Sequence, residues 1–365
     1  MTPSSSPRPR HTRASRPVRI ALLAPTSGPT GMYGASCHAC AELAVEQINA
    51  TTGMLGRPVE LVRVDAGRDP RVVAEDVARL VDTGAVDAIA GWHISSVRNA
   101  VTARVGGRVL YAYAAMHEGR DQTPGVYLLG ERPANQVLPA ARRLADELGI
   151  RRWSLIGNDY VFPRVSAVVT RAGLAKFGAR VVSERYVPLG TRDFSAALAE
   201  IAHTEAEGVL MFLMGEDAVH FNRAFAREPW SRGIVRLSPV VEEHILRSAG
   251  AASNTDLYAS AAYFDGVPTL AAQPFARAYA ARYGGAAAPL SAISESCYEA
   301  ILFLAVVAAR QGSLSVEAAA RLHDGEEYLS PRGVLRLRGN LVEQEVYLAQ
   351  AVGATFDLID PLGER

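Results

Sequence analysis

From residue 17 onward, short apolar runs that read as buried strands alternate with helix-spaced patterns, and this rhythm restricts the chain more than any other feature. It folds as a parallel sheet flanked by helices, an α/β architecture. The first run, Ile20-Ala21-Leu22-Leu23-Ala24, ends at Pro25 and passes through Ser27-Gly28-Pro29-Thr30-Gly31 into a helix predicted over 33–50. Ala41, Ala44, Val45 and Ile48 recur there at helical spacing. Strands at 59–64, 88–90 and 109–114, with helices near 70–82 and 97–105, continue a doubly wound first lobe.

The alternation restarts after 127–130. Strands are predicted at 153–156, 180–187, 208–213, near 235 and at 256–261, between helices at 135–148, 165–177, 194–202 and 217–227. Later helices at 271–283, 293–309 and 316–323 are expected to complete the first lobe. The runs 333–337 and 346–351 read as a hairpin around Gly339-Asn340. The expected division is a disordered tail over 1–16, a first lobe of 17–131 plus 262–330, and a second of 132–261 plus 331–355. A length of 365 residues suits two such cores.

Composition narrows the function. Lys plus Arg equal Asp plus Glu at 38 each, so no overall field draws the chain to nucleic acid or an anionic surface. Direct DNA binding and a membrane span are not expected, and no run approaches eighteen apolar residues. The opening residues, MTPSSSPRPRHTRASR, carry arginine and proline but no apolar segment, and three cysteines are sparse. Together they give the expectation of a cytoplasmic protein.

Catalytic and cofactor signatures are missing. There is no G-x-S-x-G elbow, no phosphate loop and no H-E-x-x-H helix, so neither an enzyme nor a metal or other cofactor is expected. Cys37-His38-Ala39-Cys40 has C-x-x-C spacing, but it lies on an apolar helix without a second pair, which reads as buried structural thiols. The Gly28–Gly31 turn lacks the dinucleotide fingerprint and reads as a plain strand-to-helix connection.

In open parallel sheets, ligands sit beyond the carboxyl ends of the strands. Three segments follow strands there: Gly91-Trp92-His93-Ile94-Ser95-Ser96, Tyr113 to Gly119, and Gly157-Asn158-Asp159-Tyr160-Val161-Phe162-Pro163-Arg164. Trp92, His93, Ser95, Tyr113, Tyr160 and Phe162 are the candidate ligand residues: flat apolar walls with a few hydroxyls, suited to a small neutral molecule. Ser96 is expected to cap the following helix. Glu216, Asp217, Glu242 and Glu243 are candidate acids for a ligand ammonium, the first two also fitting a helix start.

The segments 90–101, 117–119 and 157–164 resemble the amide receptor that regulates bacterial aliphatic amidase operons, within the type I periplasmic-binding-protein superfamily that also takes branched-chain amino acids or urea. The likeness runs from about Ile20 to about Val352. It implies two Rossmann-like lobes joined by three crossovers that close on a short amide without chemistry. Carried over residue by residue, it places ligand contacts at Ser95, Tyr113, Tyr160 and Phe162. A family tyrosine falls on His93, a threonine on Ala115 and a second tyrosine on Phe162, which implies a more apolar pocket and a larger or aromatic amide.

The resulting expectation is a sensor acting through a partner protein that contacts nucleic acid, self-associating as such receptors tend to. The alternative is the solute-binding component of an importer for amides, urea or branched-chain amino acids.

Overall fold

The computed structural model describes residues 16–119 and 121–363. The expected tail lies outside the described residues except for Arg16, which pairs with Asp87 at 2.6 Å. The first lobe opens with β1 (Val18–Ala24), α1 (Gly34–Asn49), β2 (Val59–Asp65) and α2 (Pro70–Asp82). It continues through β3 (Ala88–Gly91), α3 (Ser95–Val105), β4 (Leu110–Tyr113) and β5 (Val126–Leu128). β1 is buried along nearly its whole length because helices cover both faces of a parallel sheet. α2 starts where Asp69 accepts a hydrogen bond from the Arg71 amide and Pro70 presets the first turn, and it buries Val73, Ala74 and Val77.

The chain then crosses to α4 (Val137–Leu148), β6 (Arg152–Asn158), α5 (Val161–Leu174), β7 (Arg180–Val187) and α6 (Ser195–Ala202). β8 (Gly208–Phe212), α7 (Gly215–Phe225), β9 (Val235–Ser238), α8 (Glu243–Ala249) and β10 (Leu257–Ala261) complete that unit. It returns for α9 (Ala272–Tyr283), α10 (Ala292–Gln311) and α11 (Val316–Ala319), then β11 (Glu327–Ser330), β12 (Gly333–Arg338) and β13 (Leu341–Glu343). β14 (Tyr347–Val352) and β15 (Thr355–Pro361) close the chain.

Two sheets result, ordered β11-β12-β13-β5-β4-β3-β1-β2 and β15-β14-β10-β9-β8-β6-β7. Each has a parallel core with antiparallel strands at one edge, and the chain passes between them three times. This is the two-lobed α/β fold expected from the alternation.

The late strands depart from expectation. β12 pairs with β13 around Gly339-Asn340, and both join the first sheet, whereas the run at 347–352 crosses to pair with β10 of the second. The expected hairpin of 333–337 with 346–351 is therefore absent, and residues 333–343 do not join the second lobe's sheet. Leu341 finds its partner at Leu128 of β5, a pairing that no local turn signal encodes.

α10 is long and apolar enough to cross a membrane, but 67% of its apolar stretch is buried against the protein. Its Glu295 and Glu299 face Arg332 at 2.5 and 3.6 Å, and Ser291 caps its start in a reciprocal box with Ser294. It is a core helix packed on α1, β3 and β4.

The lobes meet directly. Gly215 holds φ +52°, and a Cβ there would lie 2.1 Å from the Pro29 carbonyl oxygen of the first lobe. The Glu216 amide donates to that oxygen at 3.0 Å, and the Gly215 amide donates to the Tyr33 hydroxyl at 3.0 Å. The turn read as a plain connection is thus also a landing place for the second lobe.

Candidate functional site

The ends of β3 and β4 build one wall. Gly91 holds φ +134° with its Cα against Leu23 of β1, where a Cβ would meet the Leu23 carbonyl oxygen at 2.2 Å, so only glycine lets the chain turn out of the sheet at this point. Trp92 follows, its ring edge-on to Tyr33 at 5.3 Å. His93 is fully buried, which pushes its imidazole down to about 3 and keeps it neutral. Its Nδ1 lies 3.2 Å from the Ile94 carbonyl and its Nε2 2.7 Å from the Tyr111 hydroxyl. These partners assign the proton to Nδ1, so Nε2 accepts from Tyr111.

Tyr113 donates to the His93 carbonyl at 2.9 Å, and burial pushes its phenol up to about 12. The Ser95 hydroxyl stands 3.5 Å from the Tyr113 oxygen, at the outer limit of a hydrogen bond, and retains capacity for another partner. Ser95 is the first helical residue of α3. The cap position is Ile94, without a side-chain cap, so the expected capping role of Ser96 is corrected. Behind Tyr113, the Arg98 guanidinium lies 4.8 Å over the ring and pairs with Glu118 at 2.7 Å and Asp121 at 3.5 Å.

The opposite wall comes from the second lobe. Tyr160 and Phe162 stand where β6 gives way to α5, and Phe162 packs edge-on against Phe212 at 6.3 Å. Their loop is braced from below. Asn158 donates to Asp217 at 2.6 Å and accepts from the Met214 amide at 2.8 Å, while Asp217 takes the Gly190 and Thr191 amides. Asp217 therefore ties two loops to β6 and does not face the cleft, and burial raises its carboxyl.

Trp92, His93, Ser95, Tyr113, Tyr160 and Phe162 all border one narrow cavity between the lobes, together with Ile94, Ala115, Met116 and Met214. Among the described residues no charged side chain borders it, since His93 is neutral.

A second, somewhat larger gap adjoins it and shares Trp92 and Met116. Its polar lining is Glu131, Gln136, Glu242, Tyr263 and Arg332, drawn from both lobes and from the crossing segments. Of these, sequence reasoning singled out only Glu242. It accepts from the Ile245 amide and pairs with His244 at 2.6 Å, and His244 reaches Ser36 of the first lobe at 3.2 Å. Tyr263 lies just beyond β10, so the rule that ligand residues follow strands would have found it. Glu131 likewise follows the parallel strand β5 by three residues, whereas Gln136 and Arg332 carry no such signal.

Cys37, Cys40 and Cys297 are buried free thiols. Among the described residues, no group of three or more His, Cys, Asp or Glu is placed to hold a metal.

The periplasmic binding protein family model matches residues 17–355. The chain belongs to that family. Members of the periplasmic binding protein family capture solutes and are not enzymes. An amino acid binding protein of Pseudomonas aeruginosa is 24% identical over 66% of this chain and 65% of its own length. The Leu/Ile/Val-binding protein of Escherichia coli is 24% identical over 50% of this chain and 51% of its own. The chain thus spans between half and two thirds of these curated relatives.

Solved structures share the fold across nearly the whole chain. A solute-binding protein of an ABC transporter from R. palustris, in complex with benzoate, has a TM-score of 0.81 at 19% identity, covering 95% of this chain and 96% of its own. A branched-chain amino acid transporter substrate-binding protein from Streptococcus pneumoniae, in complex with isoleucine, has a TM-score of 0.81 at 18% identity, covering 95% and 100%.

The finer likeness to an amide receptor has no counterpart among these relatives, and the expected regulatory partner gains no support from them. The cytoplasmic expectation is corrected: this periplasmic binding protein's family and relatives point to the periplasm. That expectation rested on the composition of the opening residues, which alone does not decide a compartment.

Proposed function

We propose that the chain is the solute-binding component of an importer, closing its two lobes on a small carboxylate-bearing solute and delivering it to a membrane permease. The observation that carries this reading is the interlobe cavity, bordered by Ser95 and Tyr113 on one side and by Tyr160 and Phe162 on the other. The gap is narrow and mostly apolar, which suits a compact ligand enclosed between the lobes. The Ser95 hydroxyl and the opening turn of α3 present hydrogen-bond donors and a positive helix end, which suit a carboxylate. The rings of Tyr160, Phe162 and Trp92 suit an apolar body. Family membership and relatives named for amino acids and benzoate support the same class.

A neutral short amide is the second reading, favoured by the uncharged side chains that border this cavity among the described residues. Calorimetric titration with branched-chain amino acids, benzoates and short amides tests both. One carboxylate class is expected to bind at one site per chain and to be recovered unchanged. Tighter binding by an amide decides for the second reading, and turnover of any of these compounds refutes both.

A further inference from the structure

The larger gap beside the cavity has the makings of a second chamber. Gln136 and Tyr263 are buried, and both border it. Gln136 uses its Nε2 to donate to the Pro239 and Ser260 carbonyls at 3.0 and 2.6 Å, which leaves Oε1 accepting no hydrogen bond among the described residues. The Tyr263 hydroxyl likewise has no partner among them. A buried acceptor and a buried hydroxyl are costly to leave unpaired, so such groups are normally met by a partner.

The charge of the chamber selects what that is. Glu131 and Glu242 border it against the single guanidinium of Arg332. That guanidinium already faces Glu295 at 2.5 Å and Glu299 at 3.6 Å from α10, donates to the Ala292 carbonyl at 3.2 Å and reaches Gln344 at 3.2 Å. Glu131 stands 3.9 Å from it and accepts from the Ala262 amide, and Glu242 is met by His244 and the Ile245 amide, so the polar capacity left open in the chamber is the Gln136 acceptor and the Tyr263 hydroxyl. An N–H donor fits this lining, whereas a second carboxylate would be repelled.

Trp92 and Met116 border both spaces, so one elongated molecule can lie along them, its body between the aromatic walls and its far end in the polar chamber. We infer that the solute carries a distal nitrogen, an amine or amide N–H, that donates to Gln136 Oε1 and the Tyr263 hydroxyl. This rests on the proposal that the interlobe cleft holds the solute, and it narrows the substrate class to molecules with a nitrogen at the end remote from Ser95.

Calorimetry with matched pairs tests it: L-lysine against L-norleucine, 4-(aminomethyl)benzoate against 4-methylbenzoate, and 6-aminohexanamide against hexanamide. In whichever pair binds, the nitrogen-bearing member is expected to bind at least tenfold more tightly. Tyr263→Phe, which removes only the unpaired hydroxyl, should bring the two members within threefold of each other. Because the ratio is taken within one variant, a folding defect that weakens both alike leaves it unmoved. Equal binding of both members, or a preference that Tyr263→Phe leaves intact, overturns the inference while the cleft reading stands. Failure of every pair to bind overturns both.

Discussion

The first-lobe wall of the cleft is tied into a chain of polar contacts, whereas the second-lobe wall meets it with rings and a thioether. On the first side, Tyr111, His93, Tyr113 and Ser95 are linked hydroxyl to imidazole to carbonyl, and Arg98, held by Glu118 and Asp121, braces Tyr113 from behind. On the second side, the polar braces lie one layer back, at Asn158 and Asp217, and the cavity sees Tyr160, Phe162 and Met214. Fixed donors recognise a head group with little rearrangement, while an apolar face gains by closing over whatever body the ligand has. One lobe is built to discriminate and the other to cover.

The contrast is open to attack by substitution. The largest effect is expected at Arg98→Ala, which leaves Glu118 and Asp121 buried without their cation. Chemical denaturation should show a loss of about 4 kcal/mol, and a loss below about 1 kcal/mol would mean that the first wall is not braced by charge. Tyr160→Ala removes a covering ring and is expected to cost about 2 kcal/mol of binding, roughly 30-fold in Kd by calorimetry, with a smaller effect on unfolding.

The pH dependence of stability separates the two lobes further. His93 is depressed from 6.5 to about 3 by burial, so its contribution is complete above pH 6.5 and is lost as pH falls toward 3. Glu243 of α8 is raised from 4.5 to about 8, chiefly by burial and then by Glu242, so its contribution is complete below pH 4.5 and is lost as pH rises toward 8. Each adds a slope of up to about 1.4 kcal/mol per pH unit in its window. His93→Gln should flatten the acid limb and Glu243→Gln the limb above pH 4.5, read from denaturation midpoints across pH. The smallest effect is Ser95→Ala, about 1 kcal/mol or roughly fivefold in Kd, without loss of stability.

Much of this arrangement was legible in the chain, and the exceptions share a cause. Buried strands such as β1 and β8 and long helices such as α1 and α10 announce themselves by local pattern, and the rule that ligand residues follow parallel strands led to six of the ten residues that border the smaller cavity. What local pattern cannot carry is partner choice. β13, three residues long, pairs with β5 across more than two hundred positions, while the strand after it leaves for the other sheet. The polar lining of the larger chamber was missed for the same reason: Gln136 sits on a crossing segment and Arg332 in the turn between β11 and β12, and they meet Glu242 and Tyr263 only when distant segments come together. Asp217 taught a different lesson, since a residue in the first turn of α7 spends its carboxylate on distant loop amides.

The central claim is that both walls grip one molecule at the same time. A crystal structure of the protein with its tightest-binding solute tests it most directly. The account predicts the solute enclosed between Ser95 and Tyr113 on one side and Tyr160 and Phe162 on the other. A solute bound outside the interlobe gap, or held by one lobe with the other turned away, would contradict it.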